Sequence, residues 1–302
     1  MRIPPLLLAA ACAAVLSAAP ARAQDPTRAF GDLLRQLPGA GGLLNPAPAP
    51  RVPATGDLVQ MLSESVDTVD EGKEIEIGRQ LAAVLLGSKP LHGDAALQRY
   101  VNRLGRWISL QSARAHLPWT FGVLDDPGFN AFAAPGGYVF VTKGLVDRVD
   151  EAELAGILAH EIAHVTEKHH LQALASRARS GLATQLIASQ VRSSAAGNFV
   201  SAQMLALGRD LYARGLDRGD EFAADRQGVW LAARSGFDPY GLPAVLQQLR
   251  TATPDNPLFT LTLGTHPPAQ QRLEQLEAAM GTRLDAYSGK PSVPIAQRVR
   301  QR

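Results

Sequence analysis

Apolar residues recur at helical spacing over Glu74 to Leu86 and again over Ala96 to Ser112, which predicts two amphipathic helices, each with one buried face. The period then changes. Trp119 to Leu124 predicts a short strand, and Tyr138-Val139-Phe140-Val141 an aromatic and β-branched strand, led in by the turn signal Phe132-Ala133-Ala134-Pro135-Gly136-Gly137. Helix returns from Glu151 to about Leu174, where Leu154, Ile157, Leu158, Ile162 and Val165 share a helical period and Asp150 with Glu153 resembles a capping box. These elements predict one α+β domain, mostly helical, over residues 66–287, with a small β-sheet beside the 151–174 helix.

The flanks follow other patterns. Residues 1–23 carry Arg2, an apolar run from about Leu6 to Ala19, and Ala21-Arg22-Ala23, a small-x-small cleavage pattern, so they predict a secretory signal peptide. The run is short against the roughly 20 residues that a membrane helix needs. Residues 24–65 form a Pro/Gly/Ala-rich linker or arm, densest from Pro38 to Asp57, and residues 288–302 a basic tail expected to be solvated. An Ala/Ser-rich stretch without acids, Ser176 to Leu207, reads equally as a helix with a loop over a cleft or as a surface helix pair.

Composition sharpens this picture. The chain of 302 residues is 46% hydrophobic and 19% charged, which is ordinary globular content. Its formal charge of +2 includes Arg2 and Arg22 and no acid from the predicted signal, so the mature chain would be neutral, which removes the electrostatic case for a nucleic-acid partner. Cys12 is the only cysteine and also lies in the signal, excluding disulfides and a thiol nucleophile from the mature chain. The residues before Cys12, Ala9-Ala10-Ala11, speak against lipid anchoring there.

The sharpest chemical signal is His160-Glu161-Ile162-Ala163-His164 on the third predicted helix. Residues four apart share a helix face, so two neutral imidazoles can hold one Zn²⁺ while Glu161, one position round, reaches a water as general base. A catalytic zinc needs a third protein ligand. Glu221, in Arg218-Gly219-Asp220-Glu221-Phe222-Ala223-Ala224-Asp225, is the best candidate, because Glu221 and Asp225 share a face and Asp225 could then accept a hydrogen bond from a ligand imidazole. Spacing leaves Asp220 and Asp217 open as competitors.

Four motifs in order then carry a family resemblance: Asn130 to Val141, His160 to Val165, Arg218 to Asp225 with Gly228, and Thr265-His266-Pro267-Pro268 with Arg272. In these the chain resembles the BepA/HtpX-like HExxH zinc metallopeptidases, the family that also contains the CAAX prenyl endopeptidases, over roughly Glu74 to Leu276. The resemblance implies a zincin-like (gluzincin) fold and one Zn²⁺ per chain, with His160, His164 and Glu221 as ligands, Glu161 as general base, and Asp225 and Arg218 as supporting residues. It gives His266 an active-site role, either stabilising the tetrahedral intermediate or acting as a switchable fourth ligand. His169, five residues past His164 on a continuous helix, would turn well off the metal face, so His169 and His170 are expected to be surface or packing residues. Tyr138, Val139, Phe140 and Val141 could form an edge strand that pairs with an extended substrate, or a plain core strand.

The implied activity is zinc-dependent endopeptidase action on misfolded or stalled envelope proteins in the periplasm, with peripheral association with the outer membrane or its assembly machinery as a further implication. BepA-like members carry a C-terminal helical-repeat docking domain, and no such repeat follows here, so a one-domain peptidase is the expectation. The alternative is a self-inhibited, chaperone-like periplasmic binding protein with a latent zinc site.

Overall fold

The computed structural model describes residues 69–179, 215–252 and 256–300. The predicted signal, all of the predicted arm and all but the first four residues of the Ala/Ser-rich stretch lie outside these. Helix α1 (Glu71–Ser88) starts at Asp70, whose side chain accepts from the Lys73 amide, and buries Ile77, Leu81 and Leu85 along one stripe. Helix α2 (Ala95–Ser109) is capped by Asp94, which accepts from the amides of Ala96 and Leu97. Its buried stripe of Leu97, Val101, Leu104 and Ile108 packs on strand β1 (Thr120–Leu124).

Three strands make the sheet, in the order β1, β3 (Tyr138–Thr142), β2 (Ala131–Ala134). β1 runs parallel to β3, with Thr120 opposite Tyr138, and β2 runs antiparallel to it, with Phe132 opposite Phe140. Tyr138 to Val141 is therefore the central strand and fully buried, a correction to the edge-strand expectation. The edge is β2, which the sequence pattern had read as part of a turn. The turn itself is only Pro135-Gly136-Gly137, where Gly136 and Gly137 have φ of 74° and 100°. A Cβ on Gly136 would lie 2.5 Å from the Ile75 Cα.

The other margin of the sheet is closed by side chains. Gln98 exchanges hydrogen bonds with Val123, accepting from its amide at 2.8 Å and donating to its carbonyl at 2.8 Å, and Asn102 accepts from the Phe121 amide at 3.1 Å. Strand β1 thus has its outer main-chain groups met by α2, while β2 stays an edge. Alternation along the strands supplies two apolar clusters: Val139 and Val141 face one with α2 and the later helices, Tyr138 and Phe140 face another with α1.

After the short helix α3 (Lys143–Val146) comes α4 (Glu151–Thr166), which carries the His160 to His164 motif. Its capping box is present in full: Asp150 accepts from the Glu153 amide and Glu153 accepts from the Asp150 amide. The helix ends earlier than expected. Lys168 adopts φ of 59°, and a new helix α5 (His169–Arg179) begins at once. Neither Gly nor Pro marks this break. Buried Glu74 anchors it from outside, lying 3.7 Å from the Lys168 Nζ while accepting twice from Arg114, at 2.7 and 2.9 Å, and once from the Gly136 amide at 3.1 Å.

Helix α6 (Arg218–Arg234) packs along α4, followed by α7 (Gly241–Thr251), α8 (Thr260–Thr265) and α9 (Ala269–Met280). The C-terminal segment differs from the expected solvated tail. It ends in α10 (Ile295–Arg300), and Val293 O and Ser292 Oγ accept from the amides of Glu151 and Ala152, groups with no partner inside α4. Arg298 donates to Glu151 at 2.6 and 2.9 Å, and Ile295 is 3% exposed. Among the described residues no helix is long and apolar enough to cross a membrane.

This docking predicts that Ile295→Ala costs about 2–4 kcal/mol in thermal or denaturant unfolding, the range for truncating a buried aliphatic side chain. A variant with unchanged unfolding midpoint would show that the segment contributes nothing to the folded domain.

Candidate metal centre

Helices α4 and α6 cross where their side chains are smallest. Gly228 lies against the backbone of His160, where a Cβ would come within 3.0 Å of the His160 amide nitrogen, and Ala224 is fully buried one turn earlier. That approach sets Glu221, in the first turn of α6, against both imidazoles of α4. His160 Nε2 and His164 Nε2 are 3.0 Å apart, with Glu221 Oε2 3.7 Å from the first and Glu221 Oε1 3.6 Å from the second. One donor atom from each of the three lies within 4.8 Å of the other two, and all three residues are buried.

The donor set fits a zinc ion. Glu221 Oε1 is buried without a hydrogen-bond partner, and the two imidazole nitrogens point at each other rather than at separate acceptors. A buried carboxylate oxygen left in that state carries a desolvation cost that a cation removes. Two imidazoles and one carboxylate are a common protein contribution to a catalytic zinc.

Charge around the site is compensated in layers. Asp225, one turn after Glu221, receives a bidentate pair of hydrogen bonds from Arg272 of α9, at 2.8 and 2.6 Å, and all of it is buried. Burial alone would raise the Asp225 carboxyl, but the guanidinium holds it well below the usual carboxylate range. Asp225 Oδ1 also sits 3.0 Å from His160 Nδ1, off the line of a well-aligned hydrogen bond. The Asp225 contact outweighs burial and raises the His160 imidazole. Burial, then the neighbouring imidazoles, push His164 well down.

Against its burial, Glu221 is lowered to about 2, first by His266 and then by Arg272 and His160. His266, at the end of α8, donates from Nδ1 to Glu221 Oε2 at 2.7 Å. Glu161 differs from the other two carboxylates: burial dominates and pushes its carboxyl up, the direction that suits a proton acceptor working near neutrality.

Two small recesses flank Glu161 and His266. The first is apolar, walled by Leu145, Ile157, Leu242, Val245, Leu246 and Leu249. The second is lined by residues 130–133 of the β2 edge together with His164, His170 and Glu221.

The fold therefore brings together His160, Glu161, His164, Glu221, Asp225 and His266. Arg218 is not among them, being exposed on the first turn of α6. Asp217 is exposed at the α6 N-cap, and Asp220 turns toward His169 instead. The pairing of Arg272 with Asp225 has no signal in the sequence beyond a motif position for each, because the two lie 47 residues apart and no local spacing joins them. His169 is buried and its ring meets that of His164, since the Lys168 break swings it back toward the metal face.

The family model for peptidase family M48 matches residues 93–280. The chain belongs to this family. It is 32% identical over 222 residues to the beta-barrel assembly-enhancing protease of Escherichia coli (strain K12), covering 72% of this chain and 45% of that protein. The mitochondrial metalloendopeptidase OMA1 of Schizosaccharomyces pombe is 31% identical over 180 residues, covering 59% and 51%, and a protease HtpX homolog of Salinibacter ruber is 29% identical over 187 residues, covering 52% and 66%. The chain thus spans about half the length of the assembly-enhancing proteases it matches. Family M48 is a metallopeptidase family, and the matched residues include α4 and α6.

Arg272→Met should leave Asp225 buried and uncompensated, at a cost of about 3–5 kcal/mol in denaturant unfolding of the zinc-free protein. Adding Asp225→Leu to the same chain should recover a large part of that loss. Equal or greater destabilisation in the double variant would contradict the compensation described.

Proposed function

We propose that this chain is a zinc-dependent endopeptidase. The observation that carries the proposal is the convergence of His160 Nε2, His164 Nε2 and the partnerless Glu221 Oε1 beside buried Glu161. A zinc ion held by His160, His164 and Glu221 would polarise a peptide carbonyl and acidify a water molecule. Glu161 takes the proton of the attacking water and returns it to the leaving amine, a role helped by the burial that raises its carboxyl. Asp225, itself gripped by Arg272, orients the His160 ring. His266 borders both recesses and meets the carbonyl oxygen as negative charge develops on it.

Substrate is held as an extended strand along β2. This edge lines the cleft, whereas the margin of β1 is already satisfied by Gln98 and Asn102. The apolar recess beside Glu161 receives the side chain next to the scissile bond, which selects aliphatic or aromatic residues at that position. Such residues are buried in folded proteins and exposed in unfolded ones, so the site suits misfolded or stalled polypeptides. The signal-like residues 1–23 and the likeness to a relative named for enhancing β-barrel assembly support the periplasm as its compartment, envelope proteins as substrates and peripheral association with the outer membrane or its assembly machinery.

Glu161→Gln should abolish cleavage of unfolded casein, by at least about 10²-fold as expected for loss of a general base, while one zinc per chain is retained. Chelator-insensitive cleavage would contradict the zinc mechanism, and suppressed aggregation without cleavage would instead favour the chaperone-like binder. In a cleavage map of a peptide library, bonds flanked on one side by Leu, Ile, Phe or Met should dominate. Val245→Phe with Leu246→Trp should shift that position toward Ala or Gly by about 10–200-fold. An unchanged map would remove the apolar recess from substrate selection.

A further inference from the structure

The two imidazoles of the metal centre are backed in different ways. His160 has a carboxylate behind it, with Asp225 Oδ1 3.0 Å from its Nδ1. His164 has a second imidazole: its Nδ1 lies 3.0 Å from Nδ1 of His169, the two rings meeting edge to face with centroids 5.1 Å apart. Beyond it, His169 Nε2 faces Asp220 Oδ1 at 3.7 Å. Asp220, Glu221 and Asp225 all belong to α6, so one helix supplies the carboxylate between the imidazoles, the one behind His160 and the one at the far end of the His164–His169 row.

Proton placement along this row is forced. When His164 Nε2 is a ligand, the proton of that neutral ring is on Nδ1, so Nδ1 donates. His169 Nδ1 must then accept, which puts the His169 proton on Nε2, the atom facing Asp220. A carboxylate there favours that tautomer.

The backbone is shaped to make this contact. On an unbroken helix residue 169 would point about 140° away from residue 164, given 3.6 residues per turn. Lys168, at φ of 59°, ends α4 and turns His169 back. A non-glycine residue in the left-handed region is a strained position that the surroundings must hold; here the Lys168 amide donates to Val165 O at 3.1 Å and its carbonyl accepts from the Gln172 amide at 2.9 Å.

We propose that His169 is a positioning residue for the metal centre: it accepts the Nδ1 proton of His164, and Asp220 holds it in the tautomer able to do so. The pair fixes the rotation of the His164 ring and makes its Nε2 a better donor to a metal. This inference rests on the metal-site assignment proposed above.

The test is zinc affinity, measured by chelator competition on the full chain, with circular dichroism and thermal unfolding of the zinc-free proteins as fold controls. His169→Leu should weaken zinc binding about 10–100-fold, the usual range for losing an outer hydrogen-bond partner of a ligand. His169→Gln, whose amide oxygen can accept the same proton, should restore most of the affinity. Asp220→Asn should give a smaller loss. Equal affinities for wild type and His169→Leu, or equal losses for the Leu and Gln variants, would overturn the positioning role. Failure of the wild-type chain to bind one zinc, or His164→Ala without effect, would overturn the metal-site assignment itself.

Discussion

The close crossing of α4 and α6 is the constraint on which the rest of the molecule depends. Gly228 and Ala224 let the two backbones approach until Glu221, itself fully buried, lies among the imidazoles of α4. Three carboxylates, two imidazoles and a guanidinium are then buried together, and isolated charges there would cost several kcal/mol each. Arg272 meets one carboxylate with two short hydrogen bonds and stands 3.8 Å from the second. Glu221 Oε1, 3.6 Å from His164 Nε2, still has no hydrogen-bond partner, which is a local conflict at the crossing. Conflicts of that kind concentrate at functional sites, where a ligand resolves them.

A second buried carboxylate, Glu74, organises the other half of the site from a distance. It joins α1, Arg114 and the Gly136 turn by hydrogen bonds, which ties down the hairpin carrying the β2 edge, and it lies 3.7 Å from Lys168 Nζ at the bend that returns His169 toward His164. The β2 hairpin and α4 are therefore linked through Glu74 and Arg114, which donates to Val165 O of α4. The docked C-terminal segment does similar work at the far end of α4, where it meets main-chain donors that the helix cannot satisfy itself.

Much of this was legible in the sequence wherever the signal is local. The capping box at Asp150 and Glu153, the period-3.6 stripe of α2, the buried β-branched strand from Tyr138 and the pairing of His160 with His164 are set by neighbours within a few residues. Glu221 emerged because the chemistry of the pair demands a third donor. Strand β2 escaped because Ala-Phe-Ala-Ala has little strand propensity and runs into Pro-Gly-Gly; its pairing with β3 makes it a strand. Strand order, which made Tyr138 to Val141 central, is tertiary and leaves no local trace. The bend at Lys168 has neither Gly nor Pro to announce it, and Arg272 finds Asp225 only once α9 packs on α6. Arg218 shared a motif with the site, yet its position on the helix turns it outward.

The most direct test of the central claim is an anomalous difference map collected at the zinc edge from crystals of the chain loaded with one equivalent of zinc. A single peak is expected in contact with Nε2 of His160, Nε2 of His164 and the carboxylate of Glu221, at about 2.0–2.2 Å from each. A peak elsewhere, or none at these three residues in a protein that holds zinc in solution, would contradict it.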